Sequence, residues 1–278
     1  MSRGLGDVYK RQLYNRFLKK EGYQTLPRRP LEKRKLRYED VYPVLYLKYR
    51  LSRQAERSNI KHLVIDEMQD YSRLQYLIIR RMFSCKMTIL GDRAQTMADQ
   101  QQDVLQFLPG IFGKDLRRIE MRKSYRNTVE IASYAANLIG VTDLELFERH
   151  GIPVVERDVT DLEAALREAV DTLFPEEKTY ETAAVIVPDE KTAERAYLIL
   201  REILVEKDFD CEKRLSWLNR DSSSFKKGLT VTTFYLAKGL EFDQVFSIFP
   251  KDEKREMMMQ AQYIAATRAL HELRVYHI

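Results

Sequence analysis

Two short apolar runs, each ending in acid, constrain the fold of this chain more than any other feature. His62-Leu63-Val64-Ile65 stops at Asp66 and Glu67, and Met87-Thr88-Ile89-Leu90 stops at Gly91 and Asp92. Runs this short read as buried strands of a parallel sheet rather than as helices. Leu74 to Phe83 between them reads as a helix, so the segment has strand-helix-strand order. Neighbouring parallel strands of this kind bring their terminal acids to one sheet edge, the edge at which α/β proteins bind ligands.

The rest of the chain continues the alternation. Val41 to Leu51 repeats apolar residues at helical spacing, and a third strand is expected at Arg118 to Met121, after the punctuation of Pro109, Gly110 and Gly113. Downstream, helices are expected at Thr128 to Ile139, Glu190 to Leu204 and Glu256 to Leu270. Strands are expected at Ala183 to Val187, Leu229 to Thr233, Val245 to Ile248 and Leu273 to Tyr276. The pattern predicts two α/β domains with mostly parallel sheets, 1–114 and 115–278, and 278 residues with 44% apolar content suffice for two cores. The first dozen residues show neither helical nor strand periodicity and read as leader or cloning-derived sequence.

Composition narrows the class. No apolar run is long enough to span a membrane and no secretory signal is evident, so a cytoplasmic protein without membrane partners is expected. Cys85 and Cys211 lack nearby Cys or His, which excludes a zinc site or a disulfide framework. Residues 1–50 carry 14 Lys and Arg against 5 Asp and Glu, a balance of +9, so the remaining chain stands at −4 within the total of +5. The basic cluster Arg28, Arg29, Lys33, Arg34, Lys35 and Arg37 suits either phosphate contact or a solvated charged face.

Leu63-Val64-Ile65-Asp66-Glu67 has the form of a Walker B element, in which the first acid orders Mg²⁺ and the second positions the attacking water. Extended through Met68-Gln69-Asp70, it resembles motif II of the superfamily 1 helicases of the UvrD/Rep group. The resemblance continues in order. Leu90-Gly91-Asp92-Arg93-Ala94-Gln95 resembles motif III, which implies that Gln95 senses the γ-phosphate of ATP. Ser124-Tyr125-Arg126-Asn127 resembles motif IV, implying Tyr125 against the adenine and Arg126 as an arginine finger, a group worth roughly 10³ to 10⁵ in rate. Thr232 to Phe242 resembles motif V. It implies ribose contact by Glu241, and Lys238 and Gly239 beside the nucleotide, with Thr232, Thr233 and Tyr235 near the tracked strand. Tyr263 to Leu270 resembles motif VI, with Arg268 as a second finger. The resemblance implies RecA-like, P-loop NTPase domains, ATP and Mg²⁺ as cofactors, and DNA, single-stranded or at a duplex junction, as partner. Within the group, Tyr38-Glu39-Asp40, Pro43 to Lys48, Met87 to Asp92 and Thr267 to Leu273 are most similar to the HelD branch, which resembles helicase IV and in some lineages acts on RNA polymerase.

The chain also departs from the pattern. No Gly-x-x-x-x-Gly-Lys-Ser/Thr loop occurs, so the phosphate cradle is missing, the first RecA-like domain is expected to be incomplete, and the chain alone is expected neither to bind ATP tightly nor to hydrolyse it. In the family that loop precedes motif II, which implies a natural protein extending upstream. Thr96, Met97 and Ala98 stand where UvrD-type helicases place a base-stacking aromatic, Tyr235 replaces a common histidine, and about 100 residues between motifs IV and V leave no room for a large inserted subdomain. Three readings follow: an ATP-dependent DNA helicase or translocase; a HelD-type ATPase that remodels or releases RNA polymerase; and a non-catalytic α/β binding module.

Overall fold

A computed structural model describes residues 2–25, 37–51, 57, 59–92, 95, 103–113, 116–121, 123–141, 145–207, 210–222, 227–251 and 256–278. The chain divides into two compact units, Met1–Arg118 and Ile119–Ile278, each described by itself.

In the first unit, helices α1 (Ser2–Lys20) and α2 (Tyr38–Leu51) precede strand β1 (His62–Ile65), helix α3 (Arg73–Met82), strand β2 (Lys86–Ile89) and helix α4 (Val104–Phe112). The expected strand-helix-strand order is present, and β1 pairs with β2 in parallel, Ile65 opposite Ile89. α3 starts on a capping box, Ser72 with Gln75, and its basic last turn, Arg80 and Arg81, complements the helix dipole. Its buried Tyr76 meets Ile65 of β1 and Val104 and Leu108 of α4, forming the core of the unit.

Two expectations for this unit are corrected, and one feature is new. β1 and β2 are not buried on both faces, since Val64 is 60% exposed. The first dozen residues, which show no periodicity and read as leader or cloning-derived sequence, lie in a helix: α1 is anchored further along, where buried Tyr14 and Leu18, spaced i to i+4, supply the stripe, and Tyr14 Oη donates to Asp40 Oδ1 at 2.9 Å. Pro109 and Gly110 do not break the chain but lie inside α4, because burying Val104 and Leu108 against Tyr76 outweighs their weak helix propensity.

The second unit is built on one six-stranded sheet in the order β5-β10-β9-β6-β8-β7, every neighbouring pair parallel. Its strands are β5 (Val155–Asp158), β6 (Thr182–Val187), β7 (Leu215–Trp217), β8 (Gly228–Thr233), β9 (Phe242–Phe249) and β10 (Ala269–His277). The central strands are almost continuously buried, as a parallel sheet covered on both faces requires. On one face, α6 (Leu162–Asp171) and α7 (Glu190–Glu206) close over Val185, Leu229, Phe246 and Ile248. α5 (Val129–Ile139) and α9 (Glu256–Ala266) pack on each other and against β9 and β10. Asp161, Asp189 and Thr128 cap α6, α7 and α5 with side-chain oxygens. A short helix α8 (Cys211–Arg214) leads into β7.

The α/β class with a parallel sheet is therefore the observed one. Two element assignments differ. Residues 118–121 form no strand: Ile119 and Met121 are 79% and 86% exposed, so their alternation faces solvent, and the strand there is the two-residue β3 (Lys123–Ser124), paired in parallel with β4 (Glu145–Leu146). The last helix stops at Ala266, because Thr267 and Arg268 turn the chain and Ala269 already pairs with Phe242.

Candidate functional site

In the first unit the chemistry gathers at the carboxyl ends of β1 and β2. Asp66 is exposed, and its Oδ1 accepts the Glu67 N–H at 2.8 Å. Glu67 lies in the left-handed region at φ 51° and ψ 52°, a conformation that costs a residue with a Cβ about 1–2 kcal/mol. That turn aims the following backbone across the sheet end, where Met68 N donates to Leu90 O at 2.8 Å. Strain of this kind persists only where the surroundings hold it, and here the holding group is Gln69. Buried Gln69 donates to Glu67 Oε2 at 2.5 Å and accepts from Asp92 N at 3.1 Å, so one amide joins the two acidic strand ends. Gln95, also buried, donates to Asp92 Oδ2 at 3.0 Å.

Gly91 makes this approach feasible. A Cβ there would stand 2.4 Å from Gln69 Oε1 and 2.6 Å from Met68 N, closer than atoms can pack. The structure thus brings Asp66, Glu67 and Gln95 into one hydrogen-bonded edge. Gln69 and Asp92 link them, and neither belonged to the expected catalytic set although both lie within the motifs. Arg93, Ala94 and Thr96 to Ala98 lie outside the described residues, as do Arg28, Arg29, Lys33, Lys35 and Arg34 of the basic cluster. Arg37 is exposed, 4.0 Å from Glu39.

Mg²⁺ binds few protein carboxylates and fills its octahedron with water and phosphate oxygens. The hard oxygen donors of Asp66 and Asp92 at one edge fit that demand, and no larger His, Cys, Asp and Glu cluster occurs among the described residues.

In the second unit Arg126, Glu241 and Arg268 lie near the start of β9 and β10. Arg126 Nε lies 2.6 Å from Glu241 Oε1, and both side chains are about half exposed. Arg268, by contrast, is buried, its guanidinium donating to Ile264 O at 3.3 Å, Leu240 O at 3.5 Å and Thr267 Oγ1 at 3.1 Å. Two side chains absent from the expected set tie these places together. Buried Asn127 donates through Nδ2 to Ala269 O at 2.6 Å and Thr267 O at 3.3 Å, on either side of Arg268. Arg149 Nη2 donates to Leu270 O at 2.7 Å and to Arg126 O. A recess of about 340 Å³ opens beside this loop, lined by Thr128, Arg149, His150, Lys178, Tyr180 and His271 among others.

Tyr125 projects with 61% exposure, its ring tilted against Phe147 at 5.5 Å between centroids. Lys238 and Gly239 follow β8 in a turn where Gly239 takes φ 77°, open to glycine at no steric cost. Thr232 and Thr233 are buried; Thr232 Oγ1 donates to Leu218 O at 3.3 Å, and Thr233 Oγ1 has no hydrogen-bond partner among the described residues. Tyr235 is half-buried at the same strand end, and its hydroxyl bonded to Arg220, before the Arg220–Glu190 pair, pushes the Arg220 guanidinium above its ordinary range. From Thr232 to Gly239 the two threonines are buried, whereas Tyr235 is half-buried.

Comparison with known proteins gives the following. The sequence profile of the UvrD/REP helicase N-terminal domain matches residues 11–97, the stretch holding Asp66, Glu67 and Gln95. Curated protein sequences give no match. Among solved structures, the C-terminal domain of a possible DNA helicase from Lactobacillus plantarum WCFS1 is similar at 24% identity and TM-score 0.43, over 56% of this chain and 88% of that one. The PRRSV helicase is similar at 17% identity and TM-score 0.43, over 80% of this chain and 36% of that one. Arterivirus nonstructural protein 10, a helicase, is similar at 14% identity and TM-score 0.40, over 77% of this chain and 38% of that one. No helix among the described residues is long and apolar enough to cross a membrane.

Proposed function

We propose that the chain carries the motif II to VI machinery of an ATP-dependent, UvrD/Rep-like superfamily 1 DNA helicase or translocase. The observation that carries this reading is the acidic edge of the first unit, where Gln69 joins a strained Glu67 to Asp92 within the stretch matching the helicase profile. In this reading both units are RecA-like. Asp66 holds Mg²⁺, which when bound neutralises phosphate charge. Glu67, its carboxylate fixed by Gln69, accepts a hydrogen bond from the attacking water, and Gln95 reads the γ-phosphate. Tyr125 stacks on the adenine, Glu241 meets the ribose with Lys238 and Gly239 alongside, and Arg126 leaves Glu241 for a phosphate. Arg268 supports the Arg126–Glu241 site of the second unit from within. Tyr235, at the strand end beyond the buried Thr232 and Thr233, faces the nucleic acid, and the two threonines position that end from within.

Because no Gly-x-x-x-x-Gly-Lys-Ser/Thr loop is present, the chain by itself is proposed to hydrolyse no ATP. The test is fluorescence anisotropy of a labelled single-stranded oligonucleotide titrated with the chain at several salt concentrations, alongside steady-state ATP hydrolysis. Binding should weaken with salt at a log–log slope of about −0.7 per phosphate neutralised, with no turnover. A chain that ignores DNA at low salt would sink the reading. The absence of an aromatic at Thr96, Met97 and Ala98 favours the second reading, a HelD-type ATPase directed at RNA polymerase. It predicts that the chain co-sediments with purified polymerase while single strands fail to compete.

A further inference from the structure

Residues 145–151 belong to none of the motifs, yet they run alongside the loop that carries Arg126 and bond it at successive points. β3 and β4 pair in parallel with Lys123 opposite Glu145 and Ser124 opposite Leu146, and Phe147 N donates to Ser124 O at 3.1 Å. Further along, Val129 N donates to Arg149 O at 2.9 Å and Gly151 N to Glu130 Oε2 at 2.8 Å. The approach is close enough to need glycine at its end, where a Cβ on Gly151 would stand 2.6 Å from Thr128 Cγ2. Between these backbone bonds the Arg149 side chain reaches Arg126 itself: Nη2 donates to Arg126 O and, at 2.7 Å, to Leu270 O. Leu270 O is open to this bond because of an irregularity in the sheet. β9 and β10 pair Phe242 with Ala269 and Gln244 with Glu272, so Leu270 and His271 together oppose Asp243. Two residues against one make a β-bulge, which takes the extra residue out of the ladder. The bulge is itself buttressed, since His271 stacks on Tyr180 at 5.7 Å and 7° and its Nε2 lies 3.7 Å from Asp243 Oδ1. Asp243 is fixed in turn by Glu181 N, Thr182 N and Thr182 Oγ1, each at 2.9 Å.

We propose that Arg149 is a positioning residue for Arg126. It ties the backbone of the Arg126 loop to the bulge of β10, so that the Arg126 side chain, 2.6 Å from Glu241, exchanges carboxylate for phosphate from a fixed point. One nitrogen joins two carbonyl oxygens, and without a donor between them the two would be left unsatisfied and would part. The inference rests on the nucleotide reading of Arg126 and Glu241 above, and adds to it a residue outside every motif and the bulge that presents its second partner. Arg149 acts only through Arg126.

The test is the guanidinium Nε–H signal of Arg126 in proton–nitrogen correlation NMR of the 278-residue chain, identified by its loss in Arg126→Lys. Paired with Glu241, this proton should exchange slowly with water. Arg149→Met keeps the stem and removes the donors, and should speed that exchange by about five-fold or more, the equivalent of one net hydrogen bond. Arg149→Lys should restore much of the protection, since an ammonium with its three N–H groups can serve both carbonyls from one nitrogen. Leu200→Ala opens a cavity in the core beneath α7. It should lower the urea midpoint yet leave the Arg126 proton protected. If Leu200→Ala releases Arg126 as much as Arg149→Met does, the effect is a general loosening and the positioning role is overturned. It is equally overturned if Arg149→Met leaves the Arg126 exchange as in wild type; a shift of that signal by millimolar inorganic triphosphate would then show that the nucleotide reading survives alone. If triphosphate does not move the wild-type Arg126 signal although Arg149→Met does, Arg149 holds a mere ion pair, and the nucleotide reading and the proposal fall together.

Discussion

Asn127 should be worth more to the second unit than its size suggests, and the order of its substitutions tests why. Its amide spans the turn that carries Arg268, donating to Ala269 O at 2.6 Å and Thr267 O at 3.3 Å from a site 7% exposed. Asn127→Ala strands buried carbonyls and should cost about 1–3 kcal/mol, the penalty of an unsatisfied buried polar group. Asn127→Asp keeps the shape but aims a carboxylate at two carbonyl oxygens. Above its folded pKa it should cost more, about 3–5 kcal/mol, as an uncompensated buried charge. The carboxyl escapes only by taking a proton, so its folded pKa rises above the unfolded value of about 3.9. A raised carboxyl pKa means that the native state binds more protons than the unfolded one, so stability falls as pH rises. The deficit of Asn127→Asp against wild type should therefore be smallest below about pH 4 and widen above it, by at most about 1.4 kcal/mol per unit. Urea unfolding read by Trp217, the single tryptophan, stacked on Tyr197 inside the same unit, provides the assay. An Asn127→Asp variant as stable as Asn127→Ala at about pH 7, or a deficit that ignores pH, would refute the donor role.

Gly91→Ala should destabilise the first unit by about 1–3 kcal/mol, the range for forced overpacking, since its methyl would meet the Met68 backbone nitrogen at 2.6 Å; an unchanged midpoint in thermal unfolding would show that the strand ends do not need this approach. Glu130 is pushed up by burial but pulled down further by its own and the Gly151 N–H and by His150 and Thr128, to about 2 from 4.5. A depressed carboxyl stabilises the fold above its unfolded pKa and loses that contribution as pH falls through the folded one, so the stability gap between wild type and Glu130→Gln should shrink from about pH 4.5 toward pH 2, and a constant gap in acid titration counts against the Gly151 contact. Thr233→Val replaces a buried hydroxyl without a hydrogen-bond partner among the described residues, so the variant should be at least as stable as wild type; a loss beyond about 1 kcal/mol in urea would reveal a bond to that hydroxyl.

The sheet of the second unit was legible because its central strands are buried on both faces and appear as plain apolar runs: Ala183 to Val187 extends by one residue, and Val245 to Ile248 sits inside β9. The edge was not. β5, Val-Glu-Arg-Asp, has one half-buried residue and three exposed ones, so it carries no hydrophobic signature and exists because β10 offers it hydrogen bonds. α1 was missed for a related reason, as its anchors Tyr14 and Leu18 follow the dozen residues from which no pattern could be read.

The site divides along the same line between local and distant contacts. Motif order in the sequence named Asp66, Glu67, Gln95, Arg126, Glu241 and Arg268, but Asn127 reaches Ala269 across 142 residues and Arg149 reaches Leu270 across 121. No periodicity reports such contacts. They bear on how the two arginines would act. The Arg126–Glu241 pair is about half exposed, so breaking it costs at most about 1 kcal/mol, and a single phosphate oxygen can replace the carboxylate. Arg268 would have to give up Ile264 O, Leu240 O and Thr267 Oγ1 from a site 2% exposed, and a buried charge parted from its partners is costly. On the proposed reading Arg126 is therefore the group that would change partner when an anion arrives, and Arg268 would stay in the turn that Asn127 and Arg149 hold on either side.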